Sequence, residues 1–211
     1  MKRLIVAITG ASGSIYGIRA LEILRDLDGI ETHVVVTKGA RATLTQETGL
    51  SVARVLELAD EVHANTNLGA SIASGSFRVD GMLVAPCSVK SLAGIAACYS
   101  DNLVTRAADV TLKERRRLVL LVRETPLHRG HIRLFDQVTA AGAIVMPPVP
   151  AFYIRPDTMA DIVDHTVVRA LDLFGIDSAG STRWQGIFAS TGDVASRSGA
   201  SPVHSGDELH A

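Results

Sequence analysis

The sequence contains little cysteine. Only Cys87 and Cys98 occur among its 211 residues, and two cysteines make neither a disulfide framework nor a metal-ligand set. Glu124, His128 and His131 are the nearest approach to a group of metal ligands, and they match the tetrahedral arrangement of zinc sites poorly. We therefore expect a protein of a reducing compartment, the cytoplasm, that holds no metal ion.

The sequence also lacks a charge excess and a long apolar run. It has 21 basic and 22 acidic residues, so no overall field attracts nucleic acid or an anionic membrane. No stretch reaches the roughly 18 apolar residues of a membrane span. The run at 4–8 is too short for a signal peptide and leads into a glycine-rich turn. We expect a soluble protein without nucleic-acid or membrane partners, whose ligand is recognised locally.

Short apolar runs alternate along the chain with helical segments. The runs span 4–8, 32–36, 82–85, 118–122 and 143–146, and the helical segments lie near 15–27, 89–97, 103–113 and 132–141. Strands that are buried on both faces read as continuous apolar runs. The alternation therefore predicts a single-domain, three-layer, Rossmann-like α/β fold with a mostly parallel sheet.

The folded domain is predicted to span 1–176. Thr158 is a good N-cap for the last helix, with Asp161 three residues on, and apolar residues follow at helical spacing as far as Gly175. The remaining stretch, 177–211, is polar and rich in Ser, Gly, Asp and His, so it buries too little surface to offset its ordering entropy. We expect a mobile tail there, with Trp184 as its candidate docking point.

Polar residues stand where four of the predicted strands end. These strand ends read Thr9-Gly10-Ala11-Ser12-Gly13-Ser14, Thr37-Lys38-Gly39, Pro86-Cys87-Ser88 and Arg123-Glu124-Thr125. Ligands of open parallel sheets bind at the carboxyl ends of the strands. Hydroxyls, glycines and a fixed cation there suit a phosphate held by backbone amides at helix N-termini. The ligand is therefore expected to carry a phosphate.

The glycine turn after the first strand has two interpretations. Gly10, Gly13 and Gly17 either cradle a phosphate or let a helix approach its strand closely. A dinucleotide site is disfavoured, because Thr37 and Lys38 follow the second strand where an acidic residue would hold the ribose. The Tyr-x-x-x-Lys pair of short-chain dehydrogenases is also missing from the sequence. A mononucleotide is favoured.

Further candidates follow a strand or lie on one helix. Arg123 and Glu124 come directly after a strand, which favours a functional role. Arg106 and Lys113 share a helix face with Asp109, either as functional cations or as a solvated, salt-bridged stripe.

Two residues in the last part of the sequence, Tyr153 and Arg169, each allow two interpretations. Tyr153 ends a proline-stiffened segment, 146–153, that cannot be helical. The segment either presents Tyr153 to a ligand or packs it into the core. Arg169 lies near the end of the last helix, where it also complements the helix dipole.

Several segments resemble, in order, the UbiX family of flavin prenyltransferases. They are Thr-Gly-Ala-Ser-Gly at 9–13, Pro-Cys-Ser at 86–88, Arg-Ala-Ala-Asp-Val at 106–110, Leu-Lys-Glu-Arg-Arg at 112–116, Arg-Glu-Thr-Pro-Leu at 123–127 and Pro-Pro-Val-Pro-Ala-Phe-Tyr at 147–153. With Arg183-Trp184-Gln185-Gly186, the chain looks most like the B subunits associated with hydroxyarylic acid decarboxylases such as the vanillate enzymes. One departure is the helix that contains His131, which lacks the family's usual His-Leu-x-Asn-Met.

The resemblance implies a flavoprotein-type fold and a specific reaction. A dimethylallyl group is transferred from dimethylallyl monophosphate to N5 of reduced FMN, and a ring then closes on flavin C6, without a metal. The product, prenylated FMN, would serve a UbiD-type aromatic acid decarboxylase as partner. The family also implies a homo-oligomer, commonly a dodecamer, with sites at subunit interfaces.

The resemblance also assigns roles to residues of this chain. FMN would be bound by Gly10, Ala11, Ser12, Thr37, Ser88, Val89, Lys90, Ser91 and Arg106. The prenyl phosphate would be bound by Arg123, Tyr153 and Arg169, and the chemistry would involve Glu124, Lys113, Ser12 and Glu47.

Two alternatives remain at this point. A flavin-dependent cysteine decarboxylase would share the fold and FMN, but its Pro-Ala-Ser-Ala-Asn-Thr motif is replaced here by the segment at 86–91. A subunit that delivers flavin to a decarboxylase without catalysis is the other alternative.

Overall fold

The computed structural model describes residues 1–177. The remaining residues, 178–211, include Trp184, the segment 183–186 and nearly all of the predicted tail. Those predictions lie outside the described residues, and the domain boundary at 176 stays a prediction.

One six-stranded parallel sheet forms the centre of the described chain, with strand order β3-β2-β1-β4-β5-β6. The strands are β1 Lys2–Ile8, β2 Ile30–Val36, β3 Glu61–His63, β4 Gly81–Cys87, β5 Arg117–Val122 and β6 Ile144–Val145. The predicted Rossmann-like class is confirmed. The sequence did not predict β3, because its three residues are polar or partly exposed and show no apolar run.

Seven α-helices surround the sheet in the described part of the chain. They are α1 Ser14–Arg25, α2 Lys38–Thr48, α3 Val52–Leu56, α4 Val89–Ala96, α5 Leu103–Lys113, α6 Arg129–Ala140 and α7 Met159–Asp172. Helix α2 was not predicted either, because it buries only Ala40 and Leu44 and so lacks a clear apolar stripe. No described helix is long and apolar enough to cross a membrane.

Two 3₁₀ turns complete the described structure, at Ser71–Ala73 and Phe152–Ile154. The second includes Phe152 and Tyr153, the last two residues of the segment 146–153, so the prediction that this segment is not helical is confirmed for 146–151 and wrong for its end. The N-cap of α7 is also as predicted. Thr158 Oγ1 accepts from the Asp161 amide at 3.2 Å, and Asp161 Oδ2 accepts from the Thr158 amide at 2.7 Å.

The sheet has a hydrophobic core on each face. Side chains of α1, α2 and α7 pack on one face, and those of α4, α5 and α6 pack on the other. Within β1, Leu4 and Ile8 belong to the first core, whereas Ile5 and Ala7 belong to the second. Because side chains alternate along a strand, burial on both faces requires apolar residues throughout, which explains the continuous runs.

A glycine lets α1 approach the sheet. A Cβ atom at Gly17 would lie 2.2 Å from the carbonyl oxygen of Ala85 in β4 and 2.7 Å from Cγ1 of Ile8. For Gly17, the packing interpretation of the glycine turn therefore holds. The close approach also aligns the start of α1 with the carboxyl edge of the sheet, where β1, β2, β4 and β5 end.

Candidate active site

A cavity of about 830 Å³ opens at the carboxyl edge of the sheet. All four strand ends singled out in the sequence contribute to its wall. The lining includes ten of the predicted site residues, Gly10, Ala11, Ser12, Thr37, Ser88, Val89, Lys90, Ser91, Arg123 and Glu124. The volume falls in the range of small-molecule and cofactor sites.

Three helices direct their N-termini towards this cavity. Thr37, Ser88 and Asn102 are the N-caps of α2, α4 and α5, and each lines the cavity. Each cap oxygen accepts a hydrogen bond from the amide three residues on, at 3.2 to 3.3 Å. Helix N-termini favour negative charge, and Lys38 and Lys90 add two cations to the same wall. The cavity therefore suits an anionic ligand such as a phosphate ester.

The amides at the N-terminus of α1 are bound by a side chain of the protein itself. Oε2 of Glu47 accepts hydrogen bonds from the Gly13 and Ser14 amides at 2.9 and 3.1 Å. Those two amides are therefore not available to bind a phosphate. The interpretation of the glycine turn as a phosphate cradle is thus corrected at Gly13. Burial raises the pKa of the Glu47 carboxyl, but hydrogen bonds from Ser12 and the two amides, with the charge of Arg123, outweigh it and lower the pKa.

A second cavity, of about 930 Å³, adjoins the first. The two cavities share Ser12 and Arg123 in their walls, and the second also includes Glu47. Apolar side chains from α1, the turn after α2 and α7 line much of the rest, among them Ile15, Leu50 and Met159, together with the charged Arg19, Glu22 and Asp164. Three predicted site residues, Ser12, Glu47 and Arg123, therefore meet where a polar and a more apolar cavity join.

Two predicted site residues on α5 do not line either of these two cavities. Arg106 donates to Oδ2 of Asp109 at 2.9 Å and to the carbonyl of Ala73 at 3.1 Å. Lys113 is paired with Glu114 rather than with Asp109. Within one chain, the salt-bridge interpretation thus holds for Arg106 and Asp109, although Lys113 does not join their stripe.

Tyr153 and Arg169 also lie outside the two cavities, but they share a neighbour. Tyr153 Oη is 3.0 Å from Nε2 of His165 on α7. The pKa of His165 is lowered, first by burial and then by the charge of Arg169. Arg169 itself donates to Oδ2 of Asp172 at 2.7 Å. His165, which was not among the predicted site residues, therefore links two residues that were both predicted to bind the prenyl phosphate.

Other cavity residues were also missed. Asn65 lines the cavity and holds the start of α5. Its backbone carbonyl accepts a hydrogen bond from the Leu103 amide, and its side-chain Oδ1 accepts one from the Val104 amide. Asn65 follows β3, the strand without a sequence signal. Asn102 had a usable signal, because an Asn directly before a run of helical periodicity is a candidate N-cap.

His128 and His131 cap α6. Nδ1 of His128 accepts from the Gly130 amide at 2.9 Å, and the two imidazole rings lie 3.8 Å apart. Within residues 1–177, no group of three or more His, Cys, Asp or Glu is arranged to hold a metal ion. The histidines at 128 and 131, where the sequence departs from the family pattern, thus cap α6.

Cys87 is fully buried, and burial raises its pKa to about 12, so it is a structural thiol.

Comparison with known proteins assigns this chain to a family. A family model described as Flavoprotein matches residues 1–170. Flavin prenyltransferase UbiX of Escherichia coli strain K12 is 56% identical over 188 residues, which are 88% of this chain and all of that protein. The chain therefore belongs to the UbiX family of flavin prenyltransferases, as the sequence motifs predicted.

Two solved structures support the same assignment. The structure of AnUbiX (PadA1) in complex with FMN and dimethylallyl pyrophosphate has a TM-score of 0.86 and 50% identity, and covers 88% of this chain and 98% of that one. A dodecameric FMN-dependent UbiX-like decarboxylase from Escherichia coli O157:H7 has a TM-score of 0.86 and 49% identity, with 87% and 100% covered. The cysteine decarboxylase alternative receives no support at this level of identity.

Proposed function

We propose that this chain binds reduced FMN in the cavity at the carboxyl edge and prenylates it where the two cavities meet. The dimethylallyl donor is the monophosphate, whose C–O bond breaks to release inorganic phosphate. The observation that carries the proposal is the junction itself. Ser12 and Arg123 belong to both cavities, so a flavin in one and a prenyl group in the other would meet there.

The residues of the first cavity fit FMN. Gly10 and Gly39 pack so closely that a Cβ atom on Gly10 would lie 3.2 Å from the Gly39 backbone, which leaves bare backbone on two strand ends. The N-termini of α2 and α4, with Lys38 and Lys90, suit the phosphate. Small apolar residues of α4, Ala93 and Gly94, leave room for a flat ring. Bound reduced FMN supplies the nucleophilic N5 and the C6 position on which the ring closes.

The chain supplies charge and proton carriers around that ring system. Arg123 is a fixed cation at the junction, where a departing phosphate develops negative charge. Glu124, beside it, is placed to give that phosphate a proton. The Ser12 hydroxyl is hydrogen-bonded to the Glu47 carboxylate, and this pair can carry a proton during ring closure.

The remaining predicted residues reach the site from neighbouring copies of the chain. Arg106, Lys113, Tyr153 and Arg169 do not line either of these cavities in one chain, and each is at least partly exposed. A homo-oligomer would let one copy's cations approach another copy's junction. The solved UbiX-like structure from Escherichia coli O157:H7 is dodecameric, and we propose the same assembly here.

The product would leave this enzyme as prenylated FMN for a UbiD-type decarboxylase in the cytoplasm. We include a recipient enzyme in the proposal because prenylated FMN functions only when another enzyme binds it as a cofactor. The chain would then act as a supplier rather than as the decarboxylase.

Mass analysis of the flavin tests the proposal. Purified protein, reduced FMN and dimethylallyl monophosphate are incubated anaerobically with excess chelator, and the flavin is then released. We expect a flavin heavier by one prenyl unit, formed without added metal. Parallel incubation with the pyrophosphate establishes which donor is used. Unmodified FMN that stays bound would instead support the flavin-delivering alternative, and activity that only magnesium or zinc restores would contradict the metal-free reaction.

A further inference from the structure

Thr9, one residue beyond β1, joins two strand ends through its side chain. The residue is completely buried. Its hydroxyl donates to the carbonyl of Pro86 at 2.8 Å and accepts from the amide of Ser88 at 2.8 Å. The Thr9 amide donates to the same Pro86 carbonyl at 3.2 Å. Three hydrogen bonds thus tie the end of β1 to the end of β4.

The regular sheet ladder does not reach this point. The β1–β4 pairing ends at Ala7 and Val84. The β4–β5 pairing is irregular between Val84 and Cys87. Beyond Val84, the position of the β4 end relative to β1 therefore depends on the contacts of Thr9, and two of the three involve its hydroxyl.

Both segments that Thr9 connects carry cavity residues. Gly10, Ala11 and Ser12 follow Thr9 directly. On the other side, Ser88 caps α4 through a hydrogen bond from the Ser91 amide, and 88–91 lines the cavity. The Thr9 hydroxyl, which does not itself line the cavity, thus connects these two walls.

We infer that Thr9 is a positioning residue for the flavin site. It acts through Ser88 and the start of α4, and the inference rests on the proposed function in placing FMN in this cavity. Without the hydroxyl, the Ser88 amide loses its partner and the wall at 88–91 is free to shift away from Gly10. Loss of a buried hydrogen-bond partner is costly, so the effect should be measurable in flavin affinity.

The experiment compares matched threonine variants. Thr9→Val keeps the side-chain shape but removes both hydroxyl hydrogen bonds, and we expect the FMN dissociation constant to rise roughly tenfold. Thr9→Ser keeps the hydroxyl and should restore affinity to near the parent value. If the Val protein does not fold, Thr9→Cys, with a weak donor and acceptor, should show an intermediate loss.

Thr32 offers a close control. It is also buried, on the neighbouring β2, and its hydroxyl donates to Asp60 Oδ2 at 2.9 Å and accepts from the Asp60 amide at 3.1 Å. It lies towards the other end of its strand from Thr37, where the site begins. Thr32→Val should lower the midpoint of denaturant unfolding without a selective loss of FMN affinity. Equal losses of affinity and stability in the two Val variants would overturn the inference.

Amide hydrogen exchange provides a measurement that does not need flavin. In flavin-free protein, the Ser88 amide should exchange faster in Thr9→Val than in the parent, Thr9→Ser or Thr32→Val. Slow exchange of this amide in Thr9→Val, with parental FMN affinity, would show that the hydroxyl positions nothing. If the parent protein failed to bind FMN, the proposed function would be wrong, while the exchange rates would still decide whether Thr9 holds the 88–91 wall.

Discussion

The two carboxylates near the junction differ in their hydrogen bonds. Glu47 accepts from two helix amides and from Ser12, and its lowered pKa keeps it ionised at neutral pH. Glu124 lines the first cavity, and its carboxylate accepts from the Thr125 amide at 3.0 Å. Glu47 is thus held at the turn around Ser12 and can exchange a proton only through the Ser12 hydroxyl, whereas Glu124 has more freedom to exchange a proton directly with a ligand.

Glu124→Gln tests that difference. The change preserves size and most hydrogen bonding but removes the ionisable proton, so FMN affinity should stay near the parent value. General acid–base catalysis contributes about 10²–10⁴-fold in rate, and we expect adduct formation at saturating ligands to slow by that order. Glu57→Gln, an exposed carboxylate paired with Arg54, is the control and should retain the parent rate. A Glu124→Gln enzyme as fast as the parent would reduce Glu124 to a structural residue.

At the scale of elements, the position of α1 depends on close contact with the sheet. The helix carries Ser14 at its start and Gly17 against β4. It also contributes Arg19, which donates to Oδ1 and Oδ2 of Asp164 on α7 at 2.6 and 3.1 Å. The sheet and α7 together thus fix the helix whose first turn meets Glu47.

Gly17→Ala should destabilise the protein. Alanine is the better helix former by about 1 kcal/mol, so open space at this position would predict a gain in stability. The backbone carbonyl of Ala85 is only 2.2 Å from the added Cβ, and overpacking costs about 1–3 kcal/mol. After the gain in helix propensity is subtracted, we expect a net loss of up to about 2 kcal/mol in the free energy of unfolding by urea. Gly69→Ala, whose Cβ would meet nothing closer than 3.4 Å, is the control, and a more stable Gly17→Ala would mean that α1 can move.

The edge strand β3 is held by a pair of histidines. Nδ1 of the buried His33 lies 2.9 Å from Nε2 of His63, and Nε2 of His33 lies 2.9 Å from Glu31, which also pairs with Arg3. A hydrogen bond between two ring nitrogens needs one of them unprotonated. The pKa of His63 is lowered from 6.5, first by burial and then by the charge of His33, against an opposing effect of Glu61.

The sign of this shift predicts a pH dependence of stability. A histidine with a lowered pKa in the folded state binds its proton more readily when unfolded, so its contribution to stability is complete above the unfolded value and is lost as pH falls below it. The free energy of unfolding should therefore decrease as pH falls below 6.5. The measurement is urea unfolding of the parent and of His63→Gln from pH 7 downward. The parent should lose more stability than the variant, and parallel curves would contradict the assignment.

At the scale of the whole molecule, the candidate residues fall into two groups. Within one chain, Ser12 and Arg123 line both cavities, Glu124 lines the first, and Glu47 lines the second. Tyr153 and Arg169 meet around His165, outside both cavities. The proposed active site uses both groups, and in the proposed oligomer one copy of the chain would supply the second group to another copy's junction.

Mixed oligomers provide a direct test. Glu124→Gln and Arg169→Ala should each be nearly inactive alone, but co-production of the two variants should restore part of the activity, because some sites would combine an intact Glu124 from one copy with an intact Arg169 from another. The control pairs Glu124→Gln with Arg123→Ala, whose affected residues line the same cavity in one chain. This pair should restore no activity. Failure of the first pair in verified mixed oligomers would place Arg169 in the same chain's site.

The sequence alone determined the parallel α/β class, four of the strand ends that line the cavity, and the cap of α7. These features have local causes, since burial on both faces demands continuous apolar runs and a helix N-terminus demands a side-chain acceptor. Segments with little burial, such as β3 and α2, left no such pattern.

Only the tertiary structure decided which partners the polar residues have. The contact between Glu47 and the start of α1 spans more than thirty residues of sequence. The contact of Thr9 with Ser88 spans 79. No periodicity or local propensity records such pairs, because they depend on how strands and helices are arranged in the folded sheet. The same physical reason explains why the sequence could name Arg106 and Lys113 as candidates, while only the fold showed that neither lines the cavities in a single chain.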